Sequence, residues 1–95
     1  MEIQFKRRSE ISLRSLSGAD RRKVDRSLQE LAATDASSLY GLPQLRKLAA
    51  GFSGKKLYTY RATTRLRLVL TIEADVCYVE DIVDHDHLTR LRGQG

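Results

Sequence analysis

The chain is 95 residues long, with 17 lysines and arginines against 12 aspartates and glutamates, one cysteine and no tryptophan. This length fits one domain around one core and excludes a second domain or a repeat array. One cysteine cannot form an intramolecular disulfide, and the longest apolar run, Leu68 to Leu70, is far too short to cross a bilayer, so we expect a cytoplasmic protein with no membrane partner.

Charge is distributed unevenly along the chain. Residues 1–50 carry a net charge of +4, residues 51–70 carry +5 with no acid, and residues 71–95 carry −4. The cations of the acid-free stretch are Lys55, Lys56, Arg61, Arg65 and Arg67. Cations at this density form either a solvated basic face or a site for a polyanion or an acidic partner.

The first half of the sequence has mainly helical patterns. Residues 2–6 alternate polar and apolar side chains, which predicts a short first strand. Ser9 is the predicted N-cap of a short helix that ends near Leu16. Behind Ser17, a second predicted cap, the apolar residues recur at i, i+4 and i+7 and predict a helix over residues 19–33.

Strand patterns follow a connection rich in Ser, Gly and Pro. Residues 56–61, 66–72 and 76–83 predict three strands joined by tight turns. In the middle strand the alternate leucines face the helices, which leaves Arg67 on the uncovered face of the sheet. The alternation of the last strand breaks around Glu80 and Asp81, which predicts a bulge there.

The order of these elements predicts an α+β domain over residues 1–95. It begins with a strand, continues with a helical hairpin in a helical part over residues 9–50, and forms a sheet meander over residues 55–84. A short C-terminal helix is predicted over residues 85–92, with Asp84 as its N-cap.

The densest group of titratable side chains is the run Asp84-His85-Asp86-His87. Its two histidines at i, i+2 match no usual zinc spacing, so we predict no metal site and no cofactor. A histidine at a strand end, an arginine on the adjoining strand and nearby lysines form a set that can cut RNA without a metal ion. Histidine exchanges protons near neutral pH, and the cations stabilise charge that develops in the transition state.

Four segments taken together resemble the RelE/ParE superfamily of type II toxin–antitoxin toxins: residues 45–51, 56–61, 65–70 and 79–85. The resemblance implies a strand, a helical hairpin and a curved antiparallel sheet whose open face holds the active site. It also implies an endoribonuclease that cuts mRNA on the ribosome and so inhibits translation. The implied protein partner is an acidic antitoxin that wraps the toxin, and operator DNA is bound only through that complex.

The resemblance also assigns roles to individual residues. Arg67 matches the strand arginine that clamps the phosphate, and His85 matches the basic residue that ends the last strand and acts as general acid or base. Arg61 is placed with them in the catalytic set. The RNA-binding candidates are basic or aromatic residues around these positions: Lys55, Lys56, Tyr58, Tyr60, Arg65 and His87.

The sequence departs from the family in one respect and leaves alternatives open. Several ribosome-dependent members have a base-stacking tyrosine near the C-terminus, whereas residues 88–92 contain no aromatic side chain. Tyr58 and Tyr60 could take that role, although one of them could equally be a core residue. The alternative functions are a ParE-like poison of DNA gyrase and a degenerate module that only binds antitoxin and operator.

Overall fold

The computed structural model describes residues 1–48 and 56–84. These residues form three helices and five strands, which confirms the predicted α+β class. In chain order the elements are β1 (Glu2–Phe5), α1 (Arg7–Arg14), α2 (Gly18–Ala32), α3 (Ala36–Leu39), β2 (Leu45–Lys47), β3 (Tyr58–Arg61), β4 (Leu66–Glu73) and β5 (Val76–Asp84).

The five strands form one mixed sheet in the order β1-β5-β4-β3-β2. The predicted antiparallel meander is confirmed for β3, β4 and β5, and β2 extends it antiparallel to β3. β1 lies parallel to β5, so the sheet is mixed rather than purely antiparallel. Short turns can join only antiparallel neighbours, and β1 reaches β5 from the other end of the chain.

The core lies between the helices and one face of the sheet. Val24 and Leu31 of α2 are fully buried together with Leu68 and Leu70 of β4. The apolar stripe of α2 and the alternate leucines of β4 therefore meet as their periodicities predict. The opposite face of β4 carries Arg67 and Val69, which are half-buried, and Thr71, which is buried and donates to Glu80 of β5.

The start of α2 agrees with the sequence prediction, whereas the start of α1 differs from it. The hydroxyl of Ser17 accepts a hydrogen bond from the backbone N–H of Asp20 at 3.2 Å, which confirms the cap of α2. α1 begins earlier than predicted, with Lys6 at its N-cap position. Ser9 is instead buried inside the first turn, where its hydroxyl donates to the carbonyl of Lys6 at 2.7 Å. The prediction of Ser9 as N-cap was therefore wrong.

Two short elements were not predicted. α3 has four residues and is capped by Asp35, whose carboxylate accepts from the backbone N–H of Ser38 at 2.8 Å. β2 lies inside residues 9–50, which the sequence assigned to the helical part. Elements of three or four residues are too short to show a period, and β2 exists because it pairs with β3.

The predicted bulge in the last strand is confirmed. Val69 pairs with Asp81 and Leu70 pairs with Val79, which leaves Glu80 as the extra residue that pairs with no residue in the β4 register. The predicted C-terminal helix lies outside the described residues. No helix within residues 1–48 and 56–84 is long and apolar enough to cross a membrane.

Candidate nucleic-acid interface

Three arginines from adjacent strands lie on the face of the sheet opposite the helices. Arg61 of β3 pairs directly with Arg67 of β4, and Arg46 of β2 pairs with Thr59, two residues from Arg61. Residues paired across antiparallel strands project from the same face, so these side chains form one group, here named the arginine cluster. Like charges opposite one another destabilise a sheet, which indicates that the cluster serves something other than stability.

Arg67 is held in place by the turn between β3 and β4. Its Nη1 donates to the backbone carbonyls of Thr63 at 2.7 Å, Leu66 at 3.2 Å and Thr64 at 3.3 Å. All three bonds use Nη1, and neither Nε nor Nη2 bonds to a residue that the structure describes. The guanidinium is thus fixed by backbone atoms while its remaining donors stay available for an anion, the arrangement that favours bidentate binding of phosphate.

The electrostatics of Arg67 reflect the positive charge around it. Partial burial lowers the pKa of its guanidinium, and the charges of Arg61 and then Arg46 lower it further. Across residues 1–48 and 56–84, no carboxylate forms an ion pair with any member of the cluster. An anion bound here would therefore relieve repulsion among three cations instead of displacing an acidic side chain.

Lys56 and Tyr58 lie at the other end of β3 from the arginine cluster. They line a cleft together with Tyr40, and the rings of Tyr40 and Tyr58 meet edge to face with centroids 5.6 Å apart. The four residues of β3 span about 10 Å, so these two predicted RNA-binding residues are separated from Arg61 by more than one nucleotide length. Tyr58 pairs with Leu70, which places it on the helix side of the sheet.

Tyr60 is a core residue, which corrects its prediction as a base-stacking side chain. It is 2% exposed, and its hydroxyl donates to the Glu30 carboxylate at 3.0 Å. Burial raises the pKa of Tyr60 to about 12, with the Glu30 hydrogen bond as the second cause. A ring packed on both faces by core side chains has no surface on which a base can stack.

Arg65 is engaged on the helix side of the turn. Its Nη2 lies 2.7 Å from the carboxylate of Asp20 in the first turn of α2, and its Nε lies 3.9 Å from Asp84. The structure therefore places this predicted RNA-binding residue in an ion pair between α2 and the sheet, apart from the arginine cluster. Three further predicted site residues, Lys55, His85 and His87, lie outside the described residues.

Sequence reasoning missed two residues of the open face. Arg46 belongs to the arginine cluster but lies on β2, which was not predicted as a strand. Tyr78 pairs with Thr71 on the same face, and Nζ of Lys6 lies 4.9 Å from the centre of its ring. The bulge at Glu80 had left the faces of β5 unassigned. Residues 45–47 read apolar, polar, polar, so no alternation signalled β2.

No protein-family model matches this sequence, and no curated protein compared with it is a match. Similarity is found instead at the level of structure. The archaeal RelE–RelB complex from Pyrococcus horikoshii contains a chain that matches with a TM-score of 0.66 at 16% identity, over 87% of this chain and 92% of that one.

Two bacterial structures are equally similar. The YoeB/ParE toxin from Agrobacterium tumefaciens matches with a TM-score of 0.67 at 16% identity, over 90% of this chain and 99% of that one. The YoeB–YefM complex from Staphylococcus aureus matches with a TM-score of 0.65 at 18% identity, over 90% and 97%. The chain thus has the fold of the RelE/ParE superfamily toxins, as the sequence resemblance implied.

Proposed function

We propose that this chain is the toxin of a type II toxin–antitoxin pair and that it is an endoribonuclease cutting mRNA on the ribosome. The observation that carries the proposal is the arginine cluster. It lies on the uncovered face of a fold shared with RelE and YoeB toxins, and none of its members is ion-paired among the residues described.

The proposed reaction uses the RNA's own nucleophile. The 2′-hydroxyl attacks the adjacent phosphorus, the bond to the 5′-oxygen breaks, and a 2′,3′-cyclic phosphate forms. Arg67 binds the non-bridging oxygens through Nε and Nη2, and Arg61 adds a second cation where negative charge grows. His85 either accepts the proton of the 2′-hydroxyl as general base or donates a proton to the leaving 5′-oxygen as general acid.

The topology supports a role for His85 near Arg67. Val83 of β5 pairs with Arg67, and β5 ends at the next residue, Asp84. His85 follows directly in the sequence, so the described chain ends at the same end of the sheet as the arginine cluster. We propose that His87 contacts RNA around this centre and that Lys55, Lys56 and Tyr58 contact it further along the strand.

We further propose that an acidic antitoxin wraps the toxin and that the complex, rather than the toxin alone, binds operator DNA. Two of the similar structures are complexes of this kind by name, RelE with RelB and YoeB with YefM. An acidic segment laid over the open face would neutralise cations that lack partners in the described part of the chain.

The test is mRNA integrity on translating ribosomes, mapped by primer extension with purified protein. We expect cuts at codons in the ribosomal A site. Arg67→Ala and His85→Ala should each reduce the cleavage rate by about 10²–10³-fold, as removal of one transition-state donor or proton-transfer group does. Arg65→Ala is the matched control, because it removes the same charge two positions away and leaves the arginine cluster intact.

The outcomes separate the candidate functions. Cleavage that stays within a few-fold of the parent in Arg67→Ala would refute the assigned mechanism. Growth arrest with intact mRNA and damaged DNA would identify a gyrase poison instead. Neither cleavage nor arrest would leave a binding module.

A further inference from the structure

A second basic groove lies beside the arginine cluster, between α2 and the end of β3. Its lining includes Lys23 and Arg26 of α2, with Glu30, Gln44, Arg61 and Ala62. We name it the α2 groove. Lys23 and Arg26 belong to the helix side of the molecule, which the catalytic proposal does not use, whereas Arg61 is shared with the arginine cluster.

The α2 groove is continuous with the open face of the sheet, where the arginine cluster lies. Arg61, Gln44 and Ala62 also line a neighbouring cleft, together with Thr63 and Thr64. The carbonyls of those two threonines accept the hydrogen bonds that fix Arg67. One chain of lining residues therefore leads from the arginine cluster over the β3–β4 turn to α2.

Gln44 gives a reason to expect a ligand in this groove. Its Oε1 is buried and has no hydrogen-bond partner. A buried acceptor without a partner is destabilising and uncommon in folded proteins, so its retention at a groove calls for an explanation. A donor from a bound molecule would satisfy it.

The charges of the groove indicate which class of molecule would bind. Lys23 and Arg26 are exposed on α2, and in the described ranges neither has an ion-pair partner. Glu30 is already engaged, because its carboxylate accepts the hydroxyl of Tyr60. Two available cations beside an unsatisfied acceptor suit a ligand that combines anionic groups with hydroxyl or amine donors, as a nucleotide does.

We propose that the α2 groove binds single-stranded RNA flanking the segment held at the arginine cluster. Lys23 and Arg26 contact backbone phosphates, and Oε1 of Gln44 accepts from a ribose 2′-hydroxyl or a base amine. This inference rests on the proposed function and extends it: the RNA does not end at the open face but crosses the β3–β4 turn onto α2.

The first experiment measures RNA binding by the full chain carrying His85→Ala, so that RNA is not cut. A long unstructured oligonucleotide is compared with a trinucleotide, which is too short to reach from the cluster to α2. Lys23→Ala with Arg26→Ala should weaken binding of the long RNA about tenfold and reduce its log–log salt slope by about 1.4, since two phosphate contacts are lost. Binding of the trinucleotide should stay unchanged.

The matched control is Arg21→Ala with Arg22→Ala, which removes the same charge from the same helix outside the groove. An equal loss in both double variants would show that only net charge matters and would overturn the proposal. The same conclusion would follow if the groove variant bound long RNA as tightly as the parent, or if it bound only acidic polypeptide.

The second experiment replaces Gln44 by methionine, which keeps the length and removes the polar atoms. We expect thermal stability to be unchanged or higher, because an unsatisfied buried acceptor is gone. We expect binding of the long RNA to be roughly threefold to tenfold weaker, because its donor loses the Gln44 acceptor. Unchanged RNA binding would contradict the role of Gln44.

Failure of this inference is distinguishable from failure of the proposed function. If the trinucleotide binds in an Arg67-dependent way while the α2 variants behave as the control does, only the groove assignment fails. If neither RNA binds and mRNA stays intact on ribosomes, the proposed function itself fails.

Discussion

Arg65 and Arg67 are two positions apart on the β3–β4 turn and β4, yet their surroundings differ in kind. Arg65 faces α2 and pairs with Asp20, so its charge is matched within the protein. Arg67 faces the open side, donates only to neutral carbonyls and lies near two other cations. Residues two positions apart in a strand share a face, so alternation does not separate these arginines. Arg65 reaches α2 because it lies in the turn before β4, whereas Arg67 lies within the strand.

Burial also raises the pKa values of Cys77 and Tyr60, two side chains that are neutral at physiological pH. Burial raises the pKa of the Cys77 thiol to about 11, and burial with the Glu30 hydrogen bond raises that of Tyr60 to about 12. The folded protein keeps both protons at pH values where the unfolded chain releases them. Stability is therefore full below about pH 8, where the unfolded thiol is still protonated, and falls as the pH rises toward these values.

We predict that Cys77 accounts for the first part of this alkaline loss. Between about pH 8 and pH 10 its shifted pKa should cost on the order of 1 kcal/mol of unfolding free energy. Cys77→Val, which keeps an apolar side chain of similar size, should abolish that part of the loss in urea unfolding curves. Tyr60→Phe is the control, because the tyrosine contributes mainly above pH 10. Parallel losses in the parent and Cys77→Val would contradict the prediction.

At the scale of elements, the sequence predicted the helices and strands that are long or have a clear period. The stripe of α2 and the alternation of β4 each repeat over several turns or pleats, and both elements were found close to their predicted bounds. The bulge at Glu80 was predictable because it interrupts a repeat. β2 and α3 were missed, since three or four residues carry no period and owe their structure to a partner strand or a cap.

The candidate site was predictable to a lesser degree for the same reason. Arg67 could be placed on the open face because β4 has a clear alternation. Arg46 could not, since β2 was not recognised, and Gln44 carries no charge or motif that would single it out. Tyr60 precedes Arg61 in β3 and therefore faces the core, where it pairs with Leu68 and its hydroxyl donates to Glu30.

The turn between β4 and β5 contains a strained residue that makes a prediction at this scale. Ala74 has a φ of 52°, a left-handed conformation that favours glycine. We expect Ala74→Gly to raise the free energy of unfolding by about 0.5–1 kcal/mol, because relief of strain outweighs the added flexibility of the unfolded chain. Urea unfolding at neutral pH measures the change.

The same substitution in a helix provides the control for that prediction. Ala19 is exposed in the first turns of α2, where glycine should lower stability by up to about 1 kcal/mol. The two alanine-to-glycine changes should therefore have opposite signs. A loss of stability in Ala74→Gly comparable with that in Ala19→Gly would show that the turn is not strained.

At the scale of the whole molecule, the fold separates two kinds of charged surface. On the helix side, some acids and bases pair with each other, as Arg65 does with Asp20 and Arg21 with Asp25, while Lys23 and Arg26 have no ion-pair partner in the described ranges. On the open side, the arginine cluster stays without an acidic partner among the described residues. The three like charges of the cluster favour rapid association with a polyanion and make an acidic protein partner stabilising.

This separation predicts how an antitoxin would stabilise the chain. Coexpression with a short acidic protein encoded beside it should yield a stable heterocomplex. A partner at a hundredfold excess over its Kd adds about 2.7 kcal/mol to the folded state, which raises the Tm of a domain of this size by roughly 10 °C or more. Scanning calorimetry of the chain with and without the partner measures the shift.

The location of the partner can be tested by reversing charge on each side of the molecule. Arg46→Glu with Arg61→Glu places two acids in the arginine cluster and should remove most of the partner-dependent rise in Tm. Arg21→Glu with Arg22→Glu makes the same change of net charge on α2 and should leave the rise nearly intact. Because both variants carry the same total charge, an equal loss in both would mean that the partner senses net charge alone. A selective loss in the cluster variant would place the acidic segment on the open face, over the groups proposed to bind RNA, so that one surface would account for both activity and its neutralisation.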